Sequence, residues 1–213
     1  MKKSDSSHPL NESITRRTAL KLVTAGTLVG LGGQTHKTLA ADSTDPNFTR
    51  DEWDKTHDRV WLGGDHWANP MEDWRVINGG AECQSMGTNR SIHSLTHQLS
   101  NHEGSISMTV TMTTLDQSGN DGGAGFRLGI RSELNEYRSN CFVGKGINAG
   151  IANGRLVLGD ISGSFGKNKI PDTVRLELKG RKQGRNFQLS LEAYAPRQAR
   201  PYARAMSHIL PTP

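Results

Sequence analysis

The chain has 213 residues and a formal net charge of +5, and 33% of its residues are hydrophobic while 24 are glycine. So low an apolar content favours a thin, turn-rich β architecture over a helical bundle. Residues 1–41 hold six of the 26 basic and two of the 21 acidic residues, which leaves the remainder at a net charge of +1. That balance gives no support to nucleic-acid binding, which needs a basic stripe.

The N-terminal segment has the features of a twin-arginine export signal. Arg16 and Arg17 precede an apolar, uncharged stretch at residues 22–31, and the small residues at 38–41 suit signal peptidase. The alternative is a membrane anchor, but a spanning helix needs about 20 apolar residues. We therefore expect residues 1–41 to be removed and no stable membrane span to remain. The expected location is periplasmic or extracellular, and the translocase is a partner in transit.

The tryptophans of the chain are concentrated after this signal. Residues 42–50 are polar, a linker is expected over residues 42–57, and Asn69-Pro70 marks a turn. Flat apolar rings suit the face of a pyranose, whereas Trp also fills gaps in cores and at sheet edges. Stacking and packing therefore both remain open, and Trp67 and Trp74 are candidates for a ligand-binding surface. The four tryptophans are Trp53, Trp61, Trp67 and Trp74.

A two-residue alternation of apolar and polar residues dominates the rest of the chain. Residues 75–77 and 81–83 are joined by Asn78-Gly79, which favours a type I′ hairpin turn. Such alternation is typical of strands with one face toward solvent. Several of them at this spacing predict an all-β domain over residues 58–195, an antiparallel β-sandwich or jelly roll. Further alternating runs lie at 105–113, 126–131, 174–179 and 187–193.

The C-terminal tail breaks the alternation. Residues 196–213 contain four prolines and several arginines. We expect an irregular tail that adds no strand to the core, because proline lacks the donor that a sheet ladder needs.

Several motifs resemble sites without meeting their physical requirements. Residues 144–149 match a dinucleotide fingerprint, but the glycines that follow leave no helix to bind the phosphates. His93 and His97 lie in an expected strand, residues 91–99, where four residues span about 13 Å, too far for one metal. Asp65-His66 resembles a fragment of a metallophosphatase site whose other ligands the chain does not supply. We therefore predict no cofactor and no metal site.

Two local questions remain open. Residues 116–121 offer oxygen ligands to Ca²⁺ but lack a complete loop with its closing Glu, and a polar turn is the alternative. Cys83 and Cys141 pair in an oxidising compartment or act as two small buried hydrophobes; the second is favoured because two cysteines are not a disulfide framework.

The segment between residues 127 and 138 is unusually polar and loop-like, and loops often carry binding residues. We take it as a further candidate binding surface. Its candidate ligand-binding residues are Arg127, Arg131, Asn135, Tyr137 and Arg138.

Taken together, several strings resemble the amino-terminal module of secreted alkaline-phosphatase-D-like metallophosphatases. The similarity covers about residues 58–195. The strings lie at residues 67–76, 78–79, 82–83, 89–96, 123–131, 134–138, 144–146 and 149–150.

The resemblance implies a concanavalin-A-like (laminin-G-like) β-sandwich placed before a phosphoesterase domain. The chain ends where that domain would begin, so the family's metal ligands have no positions in it. We therefore expect an exported, non-catalytic module that binds a carbohydrate or packs against a phosphatase catalytic domain. The alternative is a small glycoside-hydrolase-like enzyme on the same fold, which needs two acids facing across a cleft. Its candidate acids are Asp116, Asp121, Glu133 and Glu136.

Overall fold

A computed structural model describes residues 20–27, 48–85, 89–96, 104–116, 122–129, 146–163, 170–184 and 186–209. Within these residues the chain forms fourteen β-strands and two short 3-10 helices, Trp53–Lys55 and Met71–Asp73. No helix in this part of the chain is long and apolar enough to cross a lipid bilayer.

Eight of these strands form one large antiparallel sheet. Their bounds are β1 Leu20–Thr27, β2 Phe48–Arg50, β4 Trp74–Ile77, β5 Gly80–Cys83, β7 Ser105–Thr114, β12 Thr173–Gln183, β13 Asn186–Tyr194 and β14 Ala203–Ile209. The order across the sheet is β14-β13-β12-β7-β1-β5-β4, and β2 pairs with one end of β1.

The other strands form two smaller antiparallel sheets. A four-stranded sheet has the order β11-β10-β9-β8, and β3 pairs with β6 in a two-stranded ribbon. Their bounds are β3 His66–Asn69, β6 Ser91–Ser94, β8 Gly123–Leu128, β9 Ile147–Ala152, β10 Arg155–Leu158 and β11 Ile161–Gly163.

The larger core lies between the four-stranded sheet and the β7–β12–β13–β14 half of the large sheet. Alternate residues of these strands point inward, as the sequence pattern predicts, and β10 and β11 contact β14. The predicted all-β antiparallel sandwich is confirmed. The fully buried leucines at its centre are Leu156, Leu158, Leu176, Leu178 and Leu191.

A smaller core lies over the β5–β4 end of the large sheet. The register pairs Leu22 with both Met112 of the larger core and Ala81 of the smaller one. Since cross-strand partners lie on the same face, both cores lie on the same side of the large sheet. The residues of the smaller core are Trp53, Leu62, Ala68, Trp74, Val76, Ala81 and Cys83.

The predicted hairpin is confirmed. Strands β4 and β5 are joined by Asn78 and Gly79, whose φ angles are 51° and 72°. Two positive φ angles define the type I′ turn. An added Cβ on Gly79 would lie 3.0 Å from the Cα of Asp54, so both the backbone conformation and the space favour glycine here.

The prediction that residues 196–213 add no strand to the core is wrong. Strand β14 pairs with β13 over seven residues, and Ala203 and Ala205 lie in the larger core. The alternation is present in the sequence, but alanine contributes little to a hydrophobic pattern. Pro196 and Pro201 lie before the strand, and Pro211 and Pro213 lie beyond the described residues. No proline therefore interrupts the described pairing of β14 with β13.

The N-terminal segments differ from expectation as well. The described part of the predicted linker is folded: β2 pairs with β1, and Trp53 is buried. Strand β1 falls within the predicted export signal and pairs with β7 along its whole length. Removal of residues 1–41 stays a prediction.

Candidate functional site

Within the described residues, one side of the large sheet carries no second sheet over strands β7, β12, β13 and β14. We call this side the open face. The outward residues of β12 illustrate its character, since Arg175, Glu177, Lys179 and Arg181 alternate with the buried Val174, Leu176 and Leu178. The two-residue period of the strand therefore gives the sheet one apolar face and one charged face.

The antiparallel register arranges the open face in rows that cross the sheet. One row runs from Ser107 through Lys179 to Ser190, and the next runs from Ser105 through Arg181 to Gln188. Partners in a row have Cβ atoms about 4.5–5.5 Å apart. Side chains that are far apart in the sequence are thereby held side by side on a rigid support.

An ion network occupies the middle of the open face. Glu177 and Glu192 lie directly opposite one another on β12 and β13. Arg175 lies 2.6 Å from Glu177, Arg204 lies 2.6 Å from Glu192, and Lys179 lies 3.6 and 3.8 Å from the two carboxylates. Three cations therefore surround two carboxylates, which gives this network a net charge of +1.

Tyr194 completes the network at the end of β13. Its hydroxyl donates a hydrogen bond of 2.7 Å to Glu192, and the guanidinium carbon of Arg175 lies 4.4 Å from its ring centroid. The residue is only 7% exposed. Burial, and next the hydrogen bond to Glu192, raise the pKa of the Tyr194 phenol well above its usual value of 10.0.

Beside the network, the open face carries a groove of about 470 Å³. Met206, which is 56% exposed, supplies an apolar wall. In the described part of the chain no carboxylate lies within ion-pair distance of Arg181, so its charge adds to that of the network. We define the groove by its polar lining residues, Ser105, Ser107, Lys179, Arg181, Gln188 and Ser190.

Most of the exposed lining of the groove is apolar, and its polar head groups suit a polar, anionic ligand. Hydroxyl groups donate and accept hydrogen bonds, a side-chain amide does both, and the two cations donate to anions. The groove is open to solvent, so it suits a chain-like ligand lying across the strands better than an enclosed small molecule.

The arrangement does not favour acid–base catalysis by the paired glutamates. A glycosidase needs one carboxyl to donate a proton and another to act as base or nucleophile, both directed at the ligand. Here all four carboxylate oxygens of Glu177 and Glu192 contact a cation or the Tyr194 hydroxyl. Their oxygens are therefore engaged within the sheet.

A second polar pair lies beside the smaller core. The Nε2 atom of His66 lies 2.6 Å from a carboxylate oxygen of Asp51, and both side chains are nearly buried. The His66 ring centroid lies 5.0 Å from that of Trp53. No group of three or more His, Cys, Asp or Glu side chains able to hold a metal occurs in the residues that the structure describes.

Of the sequence-predicted ligand-binding residues, the structure describes Trp67, Trp74 and Arg127, which lie in three different sheets. Trp67 lies on β3, with its ring centroid 5.0 Å from that of His93, and Arg127 lies on β8 of the four-stranded sheet. Trp74 is 3% exposed within the smaller core, so its ring packs and presents no face to a ligand.

The remaining predicted residues lie outside the described part of the chain, and their roles stay predictions. Cys83 itself is buried, burial raises the pKa of its thiol, and the thiol donates to the carbonyl of Ser85. The other cysteine, Cys141, lies outside the described residues, so the question of pairing stays open. The other residues outside are Arg16, Arg17, His97, Asp121, Arg131, Glu133, Asn135, Glu136, Tyr137 and Arg138.

Sequence reasoning missed the groove, although it identified the strands. The alternation marks Lys179, Arg181 and Ser190 as solvent-facing, but only the strand order shows that β7, β12 and β13 are neighbours. Comparison with known proteins adds no relative: no family model, curated protein or solved structure matches this chain.

Proposed function

We propose that this chain is a non-catalytic carbohydrate-binding module that holds an acidic glycan in the groove of the open face. The observation that carries the proposal is the row arrangement, which places serine hydroxyls on either side of Lys179 and brings Arg181 beside Gln188. Sugar hydroxyls need donors and acceptors at fixed spacing, and carboxylate or sulfate groups need cations.

The support is physical and comes from the rigidity of the sheet. Each polar groove residue projects from an interior strand rather than from a long loop, so little backbone conformational entropy is lost when a ligand binds. Met206 offers apolar contact to the CH groups of a sugar ring at the border of the groove. The net positive charge of the surrounding network favours an acidic over a neutral glycan.

The proposed setting is outside the cytoplasm, after twin-arginine export. The sequence resemblance to alkaline-phosphatase-D-like enzymes supports a role beside a phosphoesterase domain. In that role the module would hold the catalytic partner near an anionic cell-surface or matrix glycan, and the catalysis would belong to the partner.

The test is a binding measurement on the full chain with matched charge variants. We expect binding to uronic-acid or sulfated oligosaccharides, weaker binding to neutral ones, and weakening by salt, because exposed ion pairs are screened. The double variant Lys179→Met with Arg181→Met should lower affinity at least tenfold. The control removes two positive charges elsewhere, at the exposed Arg155 and Arg200. Equal losses in both variants, or no binding to any acidic glycan, would refute the proposal.

The glycoside-hydrolase alternative would rest on the directly opposed pair Glu177 and Glu192, although cations and the Tyr194 hydroxyl engage all four of their carboxylate oxygens. It predicts cleavage of the bound oligosaccharide, detected as new reducing ends. Loss of cleavage in both Glu177→Gln and Glu192→Gln, with binding retained, would establish this function in place of the first. Intact oligosaccharide after prolonged incubation supports the binding module.

A further inference from the structure

Strand β1 occupies an interior position in the large sheet. It pairs with β7 in eight consecutive registered positions, from Leu20 opposite Thr114 to Thr27 opposite Ser107. On its other side it pairs with β5 at two positions and with β2 at three. It is therefore the only described strand that joins the two halves of the sheet.

The same residues lie within the predicted export signal. If residues 1–41 are removed, as we propose, the sheet loses an interior strand. Strand β7 then has eight residues without a neighbour on one side, and β5 loses its neighbour as well. Unpaired backbone N–H and C=O groups beside a core are costly and readily pair with another strand.

The neighbours of β1 restrict which strand could take its place. Positions 22, 24 and 26 of β1 register with Met112, Val110 and Met108 on the core side of β7. The intervening positions register with Thr109 and Thr111 on the open face. A replacement strand must therefore have small or apolar residues at every second position over about eight residues, and it must run antiparallel to both neighbours.

We propose that this interior position is a strand-acceptor site in the exported protein, filled after signal removal by an extended segment of a partner polypeptide that has small or apolar residues at every second position. Main-chain hydrogen bonds to β7 and β5 would provide affinity, and the fit of the core-side residues beside Met108, Val110 and Met112 would provide selectivity. The inference rests on the proposed removal of residues 1–41 and is independent of glycan binding. Before export, β1 holds the site closed.

The first test uses hydrogen exchange in the full chain with a backbone variant of β1. Successive N–H groups in a strand point to opposite sides, so changing both Val23 and Thr24 to Pro removes at least one donor to β7. The matched control, Val23→Ala with Thr24→Ala, keeps both donors. We expect exchange of the β7 amides to rise at least tenfold in the proline variant only, while β13 stays protected.

A synthetic peptide with the sequence of residues 18–29 should then restore the protection of β7, and the same peptide with both prolines should not. Unchanged β7 exchange in the proline variant would overturn the proposal, because β1 would then not fill the site. Failure of the peptide to restore protection in a variant that keeps β13 protected would overturn it as well.

A second variant covers the case in which the proline variant unfolds. A specific protease site inserted between residues 41 and 42 allows the folded full chain to be cut, which imitates signal removal. We expect fragment 1–41 to exchange with isotope-labelled peptide, observed as a mass shift in the intact complex. A cut protein that binds no labelled peptide, or that pairs only with a second copy of itself, would overturn the partner-strand proposal. Glycan binding by the same sample reports separately on the proposed function.

Discussion

Replacing Glu192 with Leu is expected to lower the free energy of unfolding by about 2–4 kcal/mol. The structure divides this loss into two contributions, the ion pairs of Glu192 and its hydrogen bond with Tyr194. Glu192 is paired with Arg204 and Lys179, whose side chains are 65% and 50% exposed. Such screened pairs contribute about 0.2–1 kcal/mol each. The hydrogen bond from the nearly buried Tyr194 to the carboxylate contributes about 1.5–3 kcal/mol.

Glu192→Gln separates the two contributions, because the amide oxygen can still accept from Tyr194 while both ion pairs are lost. We expect it to cost about 1 kcal/mol, which follows from the exposed pairs alone. Glu192→Leu additionally leaves the Tyr194 hydroxyl without its acceptor. In a protein that already carries Tyr194→Phe that hydroxyl is absent. Glu192→Leu should then cost about 1–2 kcal/mol less than it costs in the original protein.

Urea unfolding at neutral pH, at low and high salt, measures these differences. High salt should remove a larger fraction of the stability loss in Glu192→Gln than of the loss in Glu192→Leu, because salt screens the ion pairs and leaves the hydrogen bond from Tyr194 in place. As a control, Glu82→Leu, which removes a similarly placed carboxylate on β5, should be additive with Tyr194→Phe. A coupling energy between Glu192 and Tyr194 below about 0.5 kcal/mol would refute the reasoning, because additive pairs do not share a contact.

Three further outcomes are expected. Leu176→Ala, at the centre of the larger core, should cost about 2–5 kcal/mol in denaturant unfolding, whereas the same change at the exposed Leu115 should cost less than about 0.5 kcal/mol. Because burial raises the pKa of Tyr194 above 10.0, the folded phenol keeps its proton where the unfolded one loses it, so stability should fall as pH rises above about 10. In Tyr194→Phe the melting temperature should fall less steeply as pH rises above about 10. Equal slopes in the variant and the original protein would contradict the assignment of this effect to Tyr194. Burial lowers the pKa of His93 below 6.5, so the unfolded chain takes up the proton first and stability should fall as pH drops below about 6.5; His93→Gln should reduce this acid slope.

The strands that the sequence predicts best are those whose inward residues are large. Leu176, Leu178 and Leu191 mark β12 and β13 clearly, and the Asn78-Gly79 turn fixes the register of β4 and β5. Strand β14 was missed because its inward residues are Ala203 and Ala205, which fit a narrow space in the core without producing a strong hydrophobic pattern.

The groove could not be predicted because it is a property of strand order. Lys179 and Arg181 are two residues apart in the sequence and face the same side of β12. Their neighbours Ser107 and Ser190 belong to other strands, and Ser107 lies far away in the sequence. Local periodicity specifies which face a residue occupies and leaves open which residue lies opposite. The tryptophans were the more visible candidates, since they are rare and large, yet burial of Trp74 assigns it to packing.

The position of β14 at the margin of the large sheet has a practical consequence for anyone who shortens this protein. A recombinant version trimmed at the proline-rich stretch near residue 196 would retain every strand that is obvious from the sequence. It would nevertheless uncover the flank of β13 and part of the packing around Leu189 and Leu191. A bare strand bordered by aliphatic side chains promotes self-association, so such a version should precipitate where one that extends through residue 209 stays dispersed.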